Sequence, residues 1–97
     1  MIKGVTKEEE LIIQNILNPF KKDYDFFYYG SRVKGNFEKT SDLDILIKGK
    51  NAFPLVRLET IKILFDNSNL PYIVNFADFY NMEESFYKII EKDLVKV

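Results

Sequence analysis

The sequence contains no cysteine and no histidine. Together these absences remove thiol nucleophiles, disulfides, imidazole bases and the usual zinc sites, so any chemistry falls to carboxylates, Lys, Arg, Tyr, Ser and Thr. Charge of one sign is lacking too. The 14 basic residues stand against 15 acidic ones, which argues against a general nucleic-acid binder with its basic excess. No apolar run approaches the ~20 residues that span a bilayer, and Met1–Val5 lacks the apolar core of a signal peptide. No membrane association and a cytoplasmic location are the expectations. Repeats and low-complexity segments are absent as well. What remains is 97 residues, 46% hydrophobic and 30% charged. That is enough for one domain, residues 1–97, with a single modest core and no separate substrate-binding domain.

Thr6-Lys7-Glu8-Glu9 reads as a capping box that opens a helix, which Pro19 closes, with Ile12, Ile13, Ile16, Leu17 and Phe20 as its apolar stripe. The aromatic run Tyr24–Tyr29 reads as a strand in which Tyr24, Phe26, Phe27, Tyr28 and Tyr29 pack the core and its rim. A second strand covers Asp42–Ile47 and stops at Gly49. Pro54 opens a second helix running to Asn67, with Leu55, Leu58, Ile61, Ile63, Leu64 and Phe65 as a wide apolar face. A third strand is expected over Tyr72–Asp78. Asn81, with Glu84 three residues on, then caps a last helix carrying Phe86, Ile89, Ile90 and Leu94. This order predicts a two-layer α/β (α+β) domain, a small mixed β-sheet with helices mainly on one face.

The chemistry concentrates between residues 30 and 44. Gly30 falls where the first strand ends, and a small flexible residue followed by a hydroxyl lets backbone approach a polyphosphate while Ser31 donates a hydrogen bond. Arg32 and Lys34 bring positive charge to the same turn, although each reads equally well as a surface cation. Along Asp42–Ile47, alternation sends Asp42, Asp44 and Leu46 to one face and Leu43, Ile45 and Ile47 to the other. Two ionised carboxylates side by side repel each other and are most comfortable with a cation between them. Mg²⁺ suits such oxygen ligands and completes its shell with water and substrate phosphates.

Gly30-Ser31, ten intervening residues and then Asp42-Leu43-Asp44 resembles the Gly-Ser-x10-Asp-x-Asp signature of the DNA polymerase beta-like nucleotidyltransferase superfamily. The short chain and the form Gly30-Ser31-Arg32-x-x-Gly35 look like its minimal nucleotidyltransferase branch. The resemblance implies the palm-like fold of that superfamily and a nucleoside triphosphate, ATP, as substrate. It implies Gly30, Ser31, Arg32 and Lys34 as nucleotide-binding residues. It also implies Asp42 and Asp44 as catalytic ligands of two Mg²⁺ ions, held about 3.5–4 Å apart in such sites. In the family a third carboxylate follows on the strand after the second long helix. Here the matching residue is Asn75, an amide that can coordinate through oxygen but cannot act as a base. Asp78 is the alternative metal ligand, yet three residues on it falls on the opposite face of a regular strand. It reads more readily as a helper of the turn before the last helix.

Relatives in that branch are typically encoded with a small all-helical HEPN protein, and the pair looks like a toxin–antitoxin module. The resemblance therefore implies an antitoxin that transfers AMP to a tyrosine of its partner. The Asn75 departure keeps open an inactive antitoxin that works by binding alone. A third reading is nucleotidyl transfer to a small molecule or a nucleic-acid end. The many aromatic residues are compatible with a homodimer that hides some of them.

Overall fold

The computed structural model describes residues 2–97. Helix α1 (Lys7–Leu17) begins at the expected capping box: the Thr6 hydroxyl accepts from the Glu9 amide at 3.2 Å, and Glu9 Oε1 accepts from the Thr6 amide at 3.0 Å. Such a reciprocal cap satisfies two of the amides that every helix start leaves without a carbonyl. Asn18–Phe20 adds one 3-10 turn around Pro19. Strand β1 (Tyr24–Tyr29), a four-residue helix α2 (Ser31–Lys34) and strand β2 (Leu43–Gly49) follow. Then come α3 (Leu55–Asp66), β3 (Val74–Asp78), α4 (Glu84–Ile90) and a two-residue strand β4 (Val95–Lys96).

The sheet runs β3-β2-β1-β4, with β1 antiparallel to β2 and β4, and β3 parallel to β2. The mixed sheet and two-layer α/β class are as expected. The long α3 supplies the crossover that a parallel pair requires. Helices α1 and α3 contact each other on one face of the sheet. Ile13 and Leu17 from α1 meet Phe26, Tyr28, Leu43, Ile45, Ile47, Ile61 and Phe65 in one buried cluster. The N-terminal Ile2 and Val5 join it. Phe53 closes the far end, edge-on to Tyr24 and Phe26 with ring centroids 4.8 and 6.2 Å apart.

Three details differ from the sequence reading. The α3 apolar face is narrower: Ile61 and Phe65 are buried, but Leu55, Val56, Ile63 and Leu64 are exposed, because the sheet and α1 touch only one side of that helix. The last helix is capped at Glu83 rather than Asn81 and ends at Ile90, so Leu94 lies beyond it. Strand β4, two residues long, is too short to show an alternating pattern. Helix α4 also reaches the second sheet face, where Lys48 donates to the Tyr87 hydroxyl at 3.0 Å and Leu46 is fully buried. No helix among the described residues is long and apolar enough to cross a membrane.

Candidate active site at the end of the central hairpin

Tyr29 pairs with Asp44 at the top of the hairpin, so the turn at Gly30 and the two carboxylates are brought together by register alone. Gly30 has φ +87°, and a Cβ built there would lie 2.5 Å from Asp44 Oδ2. Glycine is therefore required twice, for a left-handed backbone and for the close approach of a carboxylate. Gly30→Ala is expected to cost more than about 1–2 kcal/mol of stability from backbone strain alone and to displace Asp44. Chemical denaturation and nucleotide titration of the variant measure the two effects separately.

The second shared strand pair sets the rest. Asp44 pairs with Asn75 across β2 and β3, and Asn75 Nδ2 donates to Asp42 Oδ2 at 2.8 Å. Asp42 and Asn75 are exposed, whereas Asp44 is half-buried. Partial burial raises the Asp44 pKa above its ordinary value, the neighbouring Asp42 charge adds to the rise, and the Asn75 amide partly offsets it. The two aspartates thus stand as a like-charge pair relieved by one amide, a donor set of hard oxygens on an open face that fits Mg²⁺.

The sign of the pH effect follows. A carboxyl whose folded pKa is raised holds its proton more tightly when folded, so its ionised form destabilises the fold at neutral pH. Asp44→Asn is expected to raise the melting temperature of the metal-free protein near pH 7. The gain should vanish as the pH falls through the raised pKa toward the ordinary value of 3.8. Paired thermal melts of wild type and variant across that range measure it, and a constant difference at all pH values would contradict the assignment.

Arg32 is a correction. It was expected at the phosphates or on the surface, but it is 4% exposed and directed into the fold. Its Nε donates to the Ser41 carbonyl at 2.9 Å, Nη1 to Gly4 at 2.6 Å, and Nη2 to Lys39 at 3.0 Å and Glu38 at 3.3 Å. The guanidinium lies 3.9 Å from the Tyr72 ring centroid and 5.0 Å from that of Phe37. Four of its five N–H groups are thus committed to backbone carbonyls and the residue is buried, so it is not placed to meet a phosphate. The reason is helical: Ser31 and Arg32 are adjacent in α2, so their side chains point about 100° apart. Lys34, three residues from Ser31, returns to roughly the same side, where its ammonium is 3.8 Å from Asp93 Oδ2. Reading Ser31–Lys34 as a helical turn rather than an irregular one was the signal that would have separated Arg32 from Lys34.

Asp78, the alternative metal ligand, instead takes the turn role that its place before the last helix favoured. It pairs with Ile47, three positions beyond the Asp44–Asn75 pair. Oδ2 accepts from the Phe53 amide at 2.7 Å and Oδ1 from the Tyr80 amide at 3.0 Å, which fixes the turn after β3. Among the described residues no group of three or more acidic side chains gathers for a metal. The structure thus gathers Gly30, Asp42, Asp44 and Asn75, with Ser31 following Gly30 at the start of α2, while Lys34 is paired with Asp93.

The sequence reading missed the supports of this site. Gly4 lies against Arg32, where a Cβ would meet the Arg32 side chain at 2.4 Å, and its amide donates to the Arg32 carbonyl at 3.0 Å. Tyr72 holds the guanidinium and donates to Glu9 at 3.0 Å; burial, together with the Glu9 charge, pushes its pKa far up, so it stays a neutral donor. Tyr28 is likewise buried, and its hydroxyl donates to Glu10.

The nucleotidyltransferase domain family matches this chain over residues 10–97. The probable protein adenylyltransferase MntA of Haemophilus influenzae is 34% identical over 93 residues, covering 96% of this chain and 82% of the relative. Sequence, sheet order and the paired carboxylates beside the Gly-Ser turn agree, and the chain belongs to the nucleotidyltransferase domain family as one of its minimal, MntA-like members.

Proposed function

We propose that this protein transfers AMP from ATP to a tyrosine hydroxyl of a small helical HEPN-family partner and acts as the antitoxin of that pair in the cytoplasm. The observation that carries the reading is the contact between Gly30 and Asp44, which sets the start of α2 beside both carboxylates. The name of the Haemophilus relative, a protein adenylyltransferase, supports the class of acceptor.

Asp42 and Asp44 would hold Mg²⁺, with the Asn75 amide as a neutral neighbour. When bound, Mg²⁺ would offset the negative charge of the triphosphate and of the transition state. The residues of the chain do the rest. Gly30 lets the triphosphate approach the backbone, the leading amides of α2 and the Ser31 hydroxyl donate to it, and Lys34 adds positive charge. The acceptor oxygen attacks the α-phosphorus and forms an O–P bond. The bond from that phosphorus to the bridging oxygen breaks, and pyrophosphate leaves toward Gly30 and Ser31. Asn75 has no basic atom, so the acceptor proton passes to solvent water, which reaches the exposed Asp42 and Asn75.

Incubation with Mg²⁺, α-labelled ATP and the neighbouring helical protein tests the reading, with Asp42→Ala as the blank. Label and a mass gain of whole AMP units on the partner are the expected result. A second reading, an antitoxin that neutralises by contact alone, is favoured by the amide at position 75. Partner bound and inhibited without label would select it.

A further inference from the structure

The near-neutral total charge hides a separation along the sheet. Two adjoining hollows of about 430 and 470 Å³ wrap the end of the β1–β2 hairpin where Tyr24 pairs with Gly49, and they share Lys22, Asp23, Tyr24 and Lys50. Arg57, in the first turn of α3, lines the first hollow, and Lys21 and Lys48 line the second. Five of the chain's 14 basic residues gather here with two of its 15 acidic ones, Asp23 and Asp25, which leaves nine basic against thirteen acidic residues elsewhere.

These cations divide into two sets. Lys21 donates to Gln14 and, at 3.2 Å, to the Val97 carbonyl, while Lys48 donates to Tyr87 with its ammonium 4.6 Å from the Phe79 ring centroid. Their heads are held in place. Lys22, Lys50 and Arg57 are exposed and enter no ion pair among the described residues, whereas Asp25 is already paired with Lys96 at 3.3 Å. An anion entering the hollows meets three uncommitted cations beside two fixed ones.

We infer that this basic end is a docking surface for an acidic segment of the partner protein. The inference rests on the reading above only in that the protein acts on a partner, and it holds for transfer and for contact alike. Carboxylates fit it better than a nucleic acid does. A single strand needs ring faces on which bases stack, but the Tyr24 ring packs against Phe53 with centroids 4.8 Å apart, its hydroxyl donates to the Ala52 carbonyl at 3.3 Å, and Phe27 is half-buried. Beyond the hollows the acidic excess repels a longer polyanion. Along β2, Lys48 lies on the same face as Asp44, and along β1 Tyr24 lies five residues, about 17 Å, from Tyr29, the strand partner of Asp44. One side of an ordinary protein interface, ~800 Å², is about 30 Å across, so a partner seated on these cations still reaches the carboxylates.

The probe is hexaglutamate, titrated into the isotope-labelled full chain, with hexaglutamine and a uridine oligonucleotide of equal charge as comparators. Hexaglutamate shifts are expected to concentrate at Lys22, Asp23, Tyr24, Lys50 and Asn51 and to fade as salt rises, with none from hexaglutamine. Lys22→Glu with Lys50→Glu reverses two exposed charges. It is expected to weaken binding of hexaglutamate and of the partner protein about tenfold each, with the KM for ATP within about twofold. Lys7→Glu with Lys92→Glu makes the same change of net charge away from the hollows and should leave both affinities within about twofold. Shifts elsewhere, equal losses in the two double variants, or partner binding unchanged by Lys22→Glu with Lys50→Glu would overturn the surface. Tighter binding of the oligonucleotide than of hexaglutamate would assign the hollows to nucleic acid, and a dimer of the free chain that the first variant dissociates would assign them to a second copy; either overturns the inference. A partner that binds through Lys22 and Lys50 yet gains no AMP would uphold the surface and overturn the transfer reading instead.

Discussion

Asn75→Asp is expected to speed AMP transfer on the order of 10²-fold, the contribution typical of a positioned general base. Asn75 pairs with Asp44 and already bonds Asp42, so a carboxylate there would enter the pair without moving the backbone. It would supply both the missing negative ligand and a group able to accept the acceptor's proton. The same change adds a third like charge to one open face, so the metal-free variant should melt lower than wild type and recover more on Mg²⁺ addition. Single-turnover transfer with labelled ATP at fixed Mg²⁺ measures the rate, and thermal melts with and without the ion measure the rest. Equal rates for wild type and variant would show that the amide suffices and that proton removal does not limit the reaction.

Arg32→Ala is expected to remove about 3–4 kcal/mol of stability, a large share of the ~5–15 kcal/mol available to a domain of this kind. Four carbonyls, from Gly4, Glu38, Lys39 and Ser41, lose their donor at once. Each buried and unpaired carbonyl costs ~1–3 kcal/mol, and those of the exposed Glu38–Lys39 segment recover part of the loss from water. For a chain of this length the melting temperature should drop by more than about 10 °C. Arg32→Lys is expected to recover less than half, because an ammonium has neither the planar fork nor the face that stacks on Tyr72. Urea denaturation decides between roles. A phosphate ligand at position 32 would weaken ATP binding and leave the unfolding midpoint in place.

These two residues show where the sequence was legible and where it was not. Local signals carried the element order: the Thr6–Glu9 box, the strand break at Gly30, the alternation across Asp42–Ile47 and the Pro54 helix start all lie within a few residues of what they specify. The same alternation placed Asp42 and Asp44 on one side before any pairing was known. Asn75 was legible because its strand could be aligned by pattern, and strand register then brought it to Asp44.

Arg32 was not legible, since its partners are carbonyls at positions 4, 38, 39 and 41, and backbone acceptors leave no trace in residue identity. The turn role of Asp78 was legible from its place before the last helix, but its partners were not, since the amides of Phe53 and Tyr80 that claim it are contributed by the fold rather than by any distinctive side chain. The narrowed α3 face, the burial of Leu46 on the second sheet face and the two-residue β4 depend on which surfaces meet. The sequence by itself determined the three long helices and three main strands, the pair of carboxylates and the glycine turn, because periodicity and backbone preference act over one or two turns of chain. Only the tertiary structure decided that Arg32 is buried on backbone carbonyls and that Lys34 pairs with Asp93, because that choice depends on groups brought together from distant parts of the chain.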